Sequence, residues 1–252
     1  MAEIDQEKRD KKYNQWARYY PAIVNLVFPL VVIVFAFFDK VHVEGNLVKT
    51  VSRIELITKI VMVFGSIVPA LFFFYVFFIR EISMHVVERF MDWILGKKAI
   101  NLLKEKNKTF SVDRKKKIKA KIKKDFKIEI PAQGKNWRLF PIKDDFRRIV
   151  DEAFDRIREY TRPNAILFEY NCVYGFFRNL SGGLLFNFII LVFLRVFKVS
   201  FAPNVTSIID IYWYIIPLLL IVSLIFTRTS GYTYSKRLYI VFLDYENKHE
   251  GN

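Results

Sequence analysis

The sequence has one cysteine and three histidines, and this scarcity excludes several kinds of site. A single thiol, Cys172, cannot form an intrachain disulfide, so we expect an ordinary buried thiol within a helical stretch. His42, His85 and His249 lie in different regions, and no cysteine or histidine spacing suits a zinc site. The chain also has no glycine-rich phosphate loop and no GxSxG motif. We therefore predict neither an enzyme nor a bound metal or cofactor.

Apolar residues make up 53% of the chain and charged residues 26%, and the two kinds are segregated along the sequence. Crossing about 30 Å of hydrocarbon takes about 20 residues of helix. Four apolar runs approach or exceed that length, at residues 22–38, 54–79 (uncharged over 60–79), 180–201 and 208–226. Buried helices of soluble proteins seldom exceed about 14 unbroken apolar residues. The sequence thus predicts an all-α membrane protein with four transmembrane helices in two hairpins, at 21–79 and 180–227.

Lysine and arginine indicate the orientation of these spans, because basic residues concentrate on the cytoplasmic side. They number five in residues 1–20, twenty-five in residues 80–179 and four after residue 226. The connection between the first two spans carries few basic residues, among them Lys40, Lys49 and Arg53. The connection between the last two spans has Lys198, close to Arg195. We therefore expect a multi-pass protein whose two terminal segments, 1–20 and 228–252, both face the cytoplasm together with residues 80–179.

Residues 80–179 contain fourteen acids against those twenty-five bases, which predicts a basic cytoplasmic domain inserted between helices 2 and 3. We expect this domain to be mostly helical. Ser111 can cap a helix in which Ile118, Ile122 and Phe126 form one apolar stripe. Seven lysines are expected to cover the rest of that helix. They are Lys115, Lys116, Lys117, Lys119, Lys121, Lys123 and Lys124.

Two further helices follow from apolar spacing in the same region. Residues 146–160 have the three-and-four spacing of a core-facing helix, and residues 161–164 end it. Directly after the second span, Ile82, Val86 and Phe90 form a stripe, with Val87 and Met91 beside it. This pattern predicts that the membrane helix continues as a packed amphipathic helix.

The lysine-rich helix has two interpretations beyond a solvated surface. It can lie on anionic lipid, or it can bind a polyanion such as an oligonucleotide. The loop at residues 135–140 mixes cations with aromatic rings. It favours a nucleotide ligand, because bases stack on such rings. The alternative is that Trp137 and Phe140 anchor this loop in the domain core. The candidate ligand-binding residues are Lys116, Lys119, Lys123, Lys124, Lys135, Trp137, Arg138, Phe140, Arg147 and Arg148.

Asn25 and Asn187 are the most polar side chains inside the predicted spans, each five to seven residues from the cytoplasmic end. At a common depth they can form a helix-to-helix hydrogen bond. The other interpretation places one of them in a ring around a pore that several subunits build. Gly182 and Gly183 allow the third span to approach a neighbouring helix closely.

A short pattern at the end of the basic region resembles a known family. It consists of TRPN at 161–164, LFE at 167–169, Asn171 and YGFFRNL at 174–180. Together with the order of two spans, a helical domain and two more spans, it resembles the SMODS-associated four-transmembrane effectors of bacterial anti-phage systems. Hailong-type systems and systems controlled by cyclic oligonucleotides are both similar.

The resemblance implies a homo-oligomeric ion channel or pore in the bacterial inner membrane. Its basic domain would bind a nucleotide second messenger or a short single-stranded DNA or RNA oligomer made by a nucleotidyltransferase encoded nearby. Arg178 and Asn179 would then lie where the sensing domain becomes the third span, so with Asn25 and Asn187 they are candidate pore or gating residues. The alternative is a non-conducting membrane scaffold that recruits a cytoplasmic partner or anionic lipid through the basic face.

Overall fold

The computed structural model describes residues 2–47, 62–95, 98–130, 145–197 and 203–244. Within these ranges the chain is helical and contains no strand, which confirms the all-α prediction for them. Three five-residue π-helical turns, Gln15–Tyr19, Val63–Ile67 and Ser83–Val87, interrupt the α-helices near the first two spans. The α-helices are α1 Ala2–Asn14, α2 Tyr20–Leu47, α3 Val68–Ile82, α4 Glu88–Leu95, α5 Lys98–Leu103, α6 Val112–Phe126, α7 Asp145–Tyr160, α8 Ala165–Val196 and α9 Pro203–Asp244.

Four helical segments are long and apolar enough to cross a membrane. They are Gln6–Phe35, Gly65–Asp92, Ala165–Val196 and Val205–Asp244. Each contains most of one span expected from the sequence, so the chain is a multi-pass membrane protein at that level of detail. Residues 54–61 and 198–201 of the expected spans lie outside the described residues. The insertion of a basic cytoplasmic domain stays a prediction.

The helices extend well beyond the apolar runs that identified them. The fourth span was expected to end at residue 226, whereas α9 continues to Asp244. Likewise α8 begins at Ala165, before the third span expected from residue 180. A charged residue makes the transfer of a helical segment from water into hydrocarbon unfavourable, so it ends an apolar run. It does not interrupt the backbone hydrogen bonds of the helix.

The chain divides into two compact units. Unit 1 comprises Met1–Arg89 and Gly175–Thr227, and unit 2 comprises Phe90–Tyr174 and Arg228–Asn252. Both α8 and α9 therefore contribute residues to each unit without a break in the helix.

The membrane-spanning part of unit 1 is a helical bundle with an apolar exterior. One buried cluster joins α2 to α3, and a second joins α2, α8 and α9 around Phe28, Leu191 and Ile216. The outward faces of α3 and α9 carry large exposed apolar side chains, a distribution suited to hydrocarbon as the solvent. They include Phe73, Phe77, Phe78, Ile211, Tyr214 and Leu218.

Unit 2 has its own core, built by α5, α6, α7 and the parts of α8 and α9 that belong to it. Ile118 and Ile122 of α6 are fully buried, as the sequence predicts, and Phe126 packs against the same core. The predicted cap is also confirmed, since Ser111 Oγ accepts a hydrogen bond of 3.2 Å from the Arg114 amide. The residues after 228 complete this core with fully buried Tyr239.

The amphipathic continuation of the second span packs differently from the expectation. Val86 and Phe90 are 50% and 52% exposed, whereas Val87 and Met91 are buried. The burial of Val87 and Met91 fits the expected packed face, as does that of the partly buried Ile82, whereas the exposure of Val86 and Phe90 does not. The π-helical turn Ser83–Val87 widens the helix locally and shifts the face that points inward.

Candidate functional site

Three buried polar side chains meet where α2, α3 and α8 pack within unit 1. Asn187 Nδ2 donates to the backbone oxygen of Asn25 over 2.9 Å, and the Tyr75 hydroxyl donates to Asn187 Oδ1 in a short hydrogen bond. Asn25 Nδ2 donates to the backbone oxygens of Pro21 at 2.8 Å and Leu180 at 3.4 Å. We call Asn25, Tyr75 and Asn187 the polar junction. An unsatisfied polar group is costly in hydrocarbon, so these bonds favour one arrangement of the three helices.

The polar junction tests one of the two interpretations that the sequence allows for Asn25 and Asn187. Asn25 and Asn187 lie at a common depth, and they form a helix-to-helix hydrogen bond within one chain. A ring of either residue around a pore stays a prediction. Sequence reasoning missed Tyr75, because a tyrosine within an aromatic-rich apolar run gives no sign of the partner that its hydroxyl will find.

Glycines bring α8 against its neighbours beside the polar junction. A Cβ added at Gly182 would lie 1.8 Å from Ser83 Oγ, and one added at Gly183 would lie 2.1 Å from Asn25 Nδ2. No larger residue fits at either position without a shift of the neighbouring group. The close approach expected from these glycines is therefore confirmed.

The other two candidate gating residues lie further towards the start of α8. Asn179 is buried, and its Nδ2 donates to the backbone oxygen of Ala17. Arg178 Nη1 lies 3.7 Å from Glu88, with the arginine side chain only 13% exposed. These contacts attach α8 to the first and second membrane segments of unit 1. A gating role for Arg178 and Asn179 stays a prediction.

A second buried polar group joins α8 to α9. The Ser181 hydroxyl donates to Ser223 Oγ at 3.0 Å and lies 2.9 Å from Thr227 Oγ1. Ser181 also bonds to the backbone oxygen of Phe177, one turn earlier. Sequence reasoning missed this group, because serine and threonine are common in membrane helices and their pairing depends on which faces meet.

The surface of α6 and α7 carries several of the predicted ligand-binding residues. Lys116, Lys124, Arg147 and Arg148 are exposed. Lys123 Nζ lies 2.9 Å from Glu129 in an exposed ion pair. Lys119 is only half-exposed, and its ammonium lies 6.0 Å from the centroid of the Phe146 ring. The candidates Lys135, Trp137, Arg138 and Phe140 lie outside the described residues.

Two lysines of α6 that were expected on its surface are buried instead. Lys115 Nζ donates to the backbone oxygens of Lys104 at 2.6 Å and Glu105 at 3.2 Å, and to that of Asn107 in a short hydrogen bond. Burial lowers the pKa of the Lys115 ammonium from its ordinary value of 10.5, and the charge of Lys119 acts in the same direction.

The second of these lysines packs against the aromatic core of unit 2. Lys121 Nζ lies 4.9 Å from the centroid of the Phe242 ring and 3.4 Å from the backbone oxygen of Leu243. The long apolar stem of lysine lets it line a core while its ammonium finds acceptors. The lysine-covered surface of α6 is thus narrower than the sequence suggests.

These groups provide binding and packing chemistry. Exposed ammonium and guanidinium groups on α6 and α7 can contact phosphate oxygens, and the buried hydrogen bonds can hold helices together. The described ranges contain no group of three or more His, Cys, Asp or Glu side chains that could hold a metal ion. Comparison with protein-family models, curated protein sequences and solved structures finds no match to the chain.

Proposed function

We propose that this chain is a bacterial anti-phage membrane effector. It assembles as a homo-oligomeric ion channel or pore in the inner membrane, with both termini in the cytoplasm. A nucleotide or short oligonucleotide, made by a nucleotidyltransferase, binds to the basic surface of unit 2 and gates the channel or pore. One observation carries this proposal, namely that α8 and α9 each pass without a break from residues of unit 2 to residues of unit 1.

The surface of α6 and α7 supports the ligand class. Cations on two neighbouring helices of one core offer several contacts to the phosphates of a single short strand. Binding of this kind depends strongly on salt and tolerates many sequences.

The packing of α8 supports the gating step. Arg178 and Asn187 are nine residues apart on one helix, which is about 13 Å along its axis. A ligand that turns or shifts the start of α8 would therefore act on the polar junction. The polar groups of the junction have few alternative hydrogen-bond partners in hydrocarbon. A shift of α8 would therefore take it between discrete arrangements.

Planar-bilayer recording of the purified chain, with and without short single-stranded oligonucleotides, tests the proposal. We expect the oligonucleotide to change the conductance. The double variant Lys116→Glu/Lys124→Glu should abolish that response, because it places two acids where phosphates bind. The matched control, Lys8→Glu/Lys11→Glu, makes the same change in net charge on α1 and should respond normally. Absence of conductance under every condition would contradict a channel.

A non-conducting scaffold is the second candidate function. It is favoured by the polar junction, whose hydrogen bonds close within one chain and leave an apolar exterior on the described spans. On this alternative the basic surface recruits a cytoplasmic partner or anionic lipid. A stoichiometric protein partner that co-purifies, with neither conductance nor retained nucleic acid, would favour the scaffold.

A further inference from the structure

Three arginines from different helical segments converge at one end of unit 1. Arg18 belongs to the π-helical turn before α2, Arg80 to α3 and Arg178 to α8. The positive charges of Arg80 and Arg178 both act on the Arg18 guanidinium. The bond from Asn179 to the backbone of Ala17 fixes this neighbourhood, since it joins the residues adjacent to Arg178 and Arg18. Like charges brought together in this way repel one another unless an anion lies among them.

Arg18 has a donor that its surroundings leave unsatisfied. Its Nε is buried, and it has no hydrogen-bond partner among the residues that the structure describes. Its guanidinium carbon also lies 5.9 Å from the centroid of the Tyr13 ring, which holds the side chain against the protein. A buried N–H without an acceptor is costly, so a movement of the Arg18 side chain that brings its guanidinium to an oxygen atom from outside the chain would be favourable.

Glu88 is the acid that pairs with this cluster. One of its carboxylate oxygens lies 3.7 Å from Arg178 Nη1. Its carboxylate offsets part of the charge of Arg178. It does not satisfy the buried Nε of Arg18.

Aromatic side chains around Arg18 indicate the depth of the cluster in the membrane. Trp16, Tyr19 and Tyr20 are each exposed by 39% or more of their surface. Exposed tryptophan and tyrosine at the end of a membrane helix mark the interface where lipid headgroups lie. The arginines therefore lie at the level of lipid phosphates, and a guanidinium matches a phosphate with paired hydrogen bonds.

We infer that Arg18, Arg80 and Arg178 form a binding site for the phosphate group of an anionic phospholipid. The bound headgroup accepts hydrogen bonds from the guanidinium groups and offsets the repulsion between the three positive charges. It thereby holds α2, α3 and α8 together at this end of unit 1. The site is independent of the proposed oligonucleotide surface on unit 2, and it does not require the chain to conduct ions.

Native mass spectrometry of the full chain tests the site. The protein is extracted from nanodiscs that contain equal amounts of phosphatidylglycerol and phosphatidylcholine, and the retained lipid is identified. We expect preferential retention of phosphatidylglycerol. Arg18→Gln should weaken that binding by about tenfold or more, the effect of losing one hydrogen bond between charged groups. Lys11→Gln, an equal loss of charge in the last turn of α1, is the matched control and should bind as the unmodified chain does.

Added inorganic phosphate distinguishes a lipid from a free anion. A lipid site should keep its phosphatidylglycerol in millimolar phosphate, because the acyl chains also bind. Displacement of the lipid by inorganic phosphate would instead identify a free-anion site and overturn the inference. Equal retention of both lipids by the unmodified chain would overturn it too, without recourse to any variant. If Arg18→Gln fails to fold, Arg80→Gln takes its place, and binding equal to that of Lys11→Gln would count against the site.

Discussion

Asn187 donates a hydrogen bond of 2.9 Å to the backbone oxygen of Asn25, across 162 residues of sequence. This bond joins α8 to α2 inside the membrane bundle, and Tyr75 extends it to α3. The Asn25 acceptor belongs to the backbone, so Tyr75→Phe can remove the Tyr75 bond while leaving that of Asn187 in place.

The first prediction concerns the polar junction. Asn187→Leu should lower the free energy of unfolding by about 1–2 kcal/mol, because it removes the interhelical donor and leaves the Tyr75 hydroxyl without its acceptor. Tyr75→Phe removes only one bond and should cost about 0.6 kcal/mol. Unfolding in a denaturing detergent, followed by circular dichroism, measures both. A leucine variant as stable as the unmodified chain would show that the junction does not hold the bundle.

The second prediction concerns helix contact at the glycines. Gly182→Ala and Gly183→Ala should each destabilise the chain by about 1–3 kcal/mol, since the new methyl groups would meet Ser83 and Asn25. Gly65→Ala is the matched control, because a Cβ there meets nothing within 4 Å. That control should be neutral or stabilising by about 0.5–1 kcal/mol, the usual helical advantage of alanine. The same unfolding assay applies, and equal effects at all three positions would contradict close packing of α8.

The membrane helices and the stripe of α6 could be predicted because they depend on local composition and spacing. Ile118 and Ile122 recur at the period of a helix, and their burial follows whatever the partner is. The junction could not be predicted in full, because Tyr75 and Asn187 are 112 residues apart and no local pattern links them.

Two other errors of the sequence-based expectation have physical causes. The burial of Lys115 was missed because lysine is normally exposed, and here three backbone acceptors override that preference. The exposure of Val86 and Phe90 after the second span was missed because a regular period of 3.6 residues was assumed. The π-helical turn Ser83–Val87 breaks that period, and its sequence gives no clear sign of it.

A third prediction follows from the buried ammonium of Lys115. Lys115→Met should destabilise unit 2 by about 1–3 kcal/mol, because it leaves backbone oxygens after α5 without their donor while keeping the apolar stem. Hydrogen exchange of the amides in residues 98–110 should become faster. The control Lys116→Met changes the next, exposed residue and should leave exchange unaltered. Similar exchange in both variants would mean that the three carbonyls do not depend on Lys115.

A fourth prediction concerns the exposed ion pair beside the proposed ligand surface. Glu129→Gln should strengthen oligonucleotide binding, because it frees Lys123 to contact a phosphate. One additional contact should steepen the dependence of log affinity on log salt by about 0.7 for a single strand. Stability should change by less than about 1 kcal/mol, as is usual for exposed pairs. Fluorescence anisotropy at several salt concentrations measures the slope, with Glu7→Gln on α1 as the control of equal charge. An unchanged slope would place the strand elsewhere.

The fifth prediction concerns the hydroxyl group that joins α8 to α9. Ser181 bonds to Ser223 and Thr227 on the opposite helix, so Ser181→Ala removes both interhelical contacts while leaving the helix backbone intact. The two remaining hydroxyls can still bond within α9, since Ser223 bonds to the oxygen of Leu220 and Thr227 to that of Ser223. We therefore expect a loss of only about 0.6–2 kcal/mol in the free energy of unfolding.

The control for this variant is Ser66→Ala, because Ser66 is exposed and bonds to the backbone oxygen of Met62 in its own helix. It should change stability by less than Ser181→Ala does in the same detergent titration. A difference between the two variants isolates the interhelical contribution, since both lose one hydroxyl from a membrane helix. Equal stabilities would mean that α8 and α9 are held by their apolar contacts alone, and that α8 is free to turn against α9 at little cost.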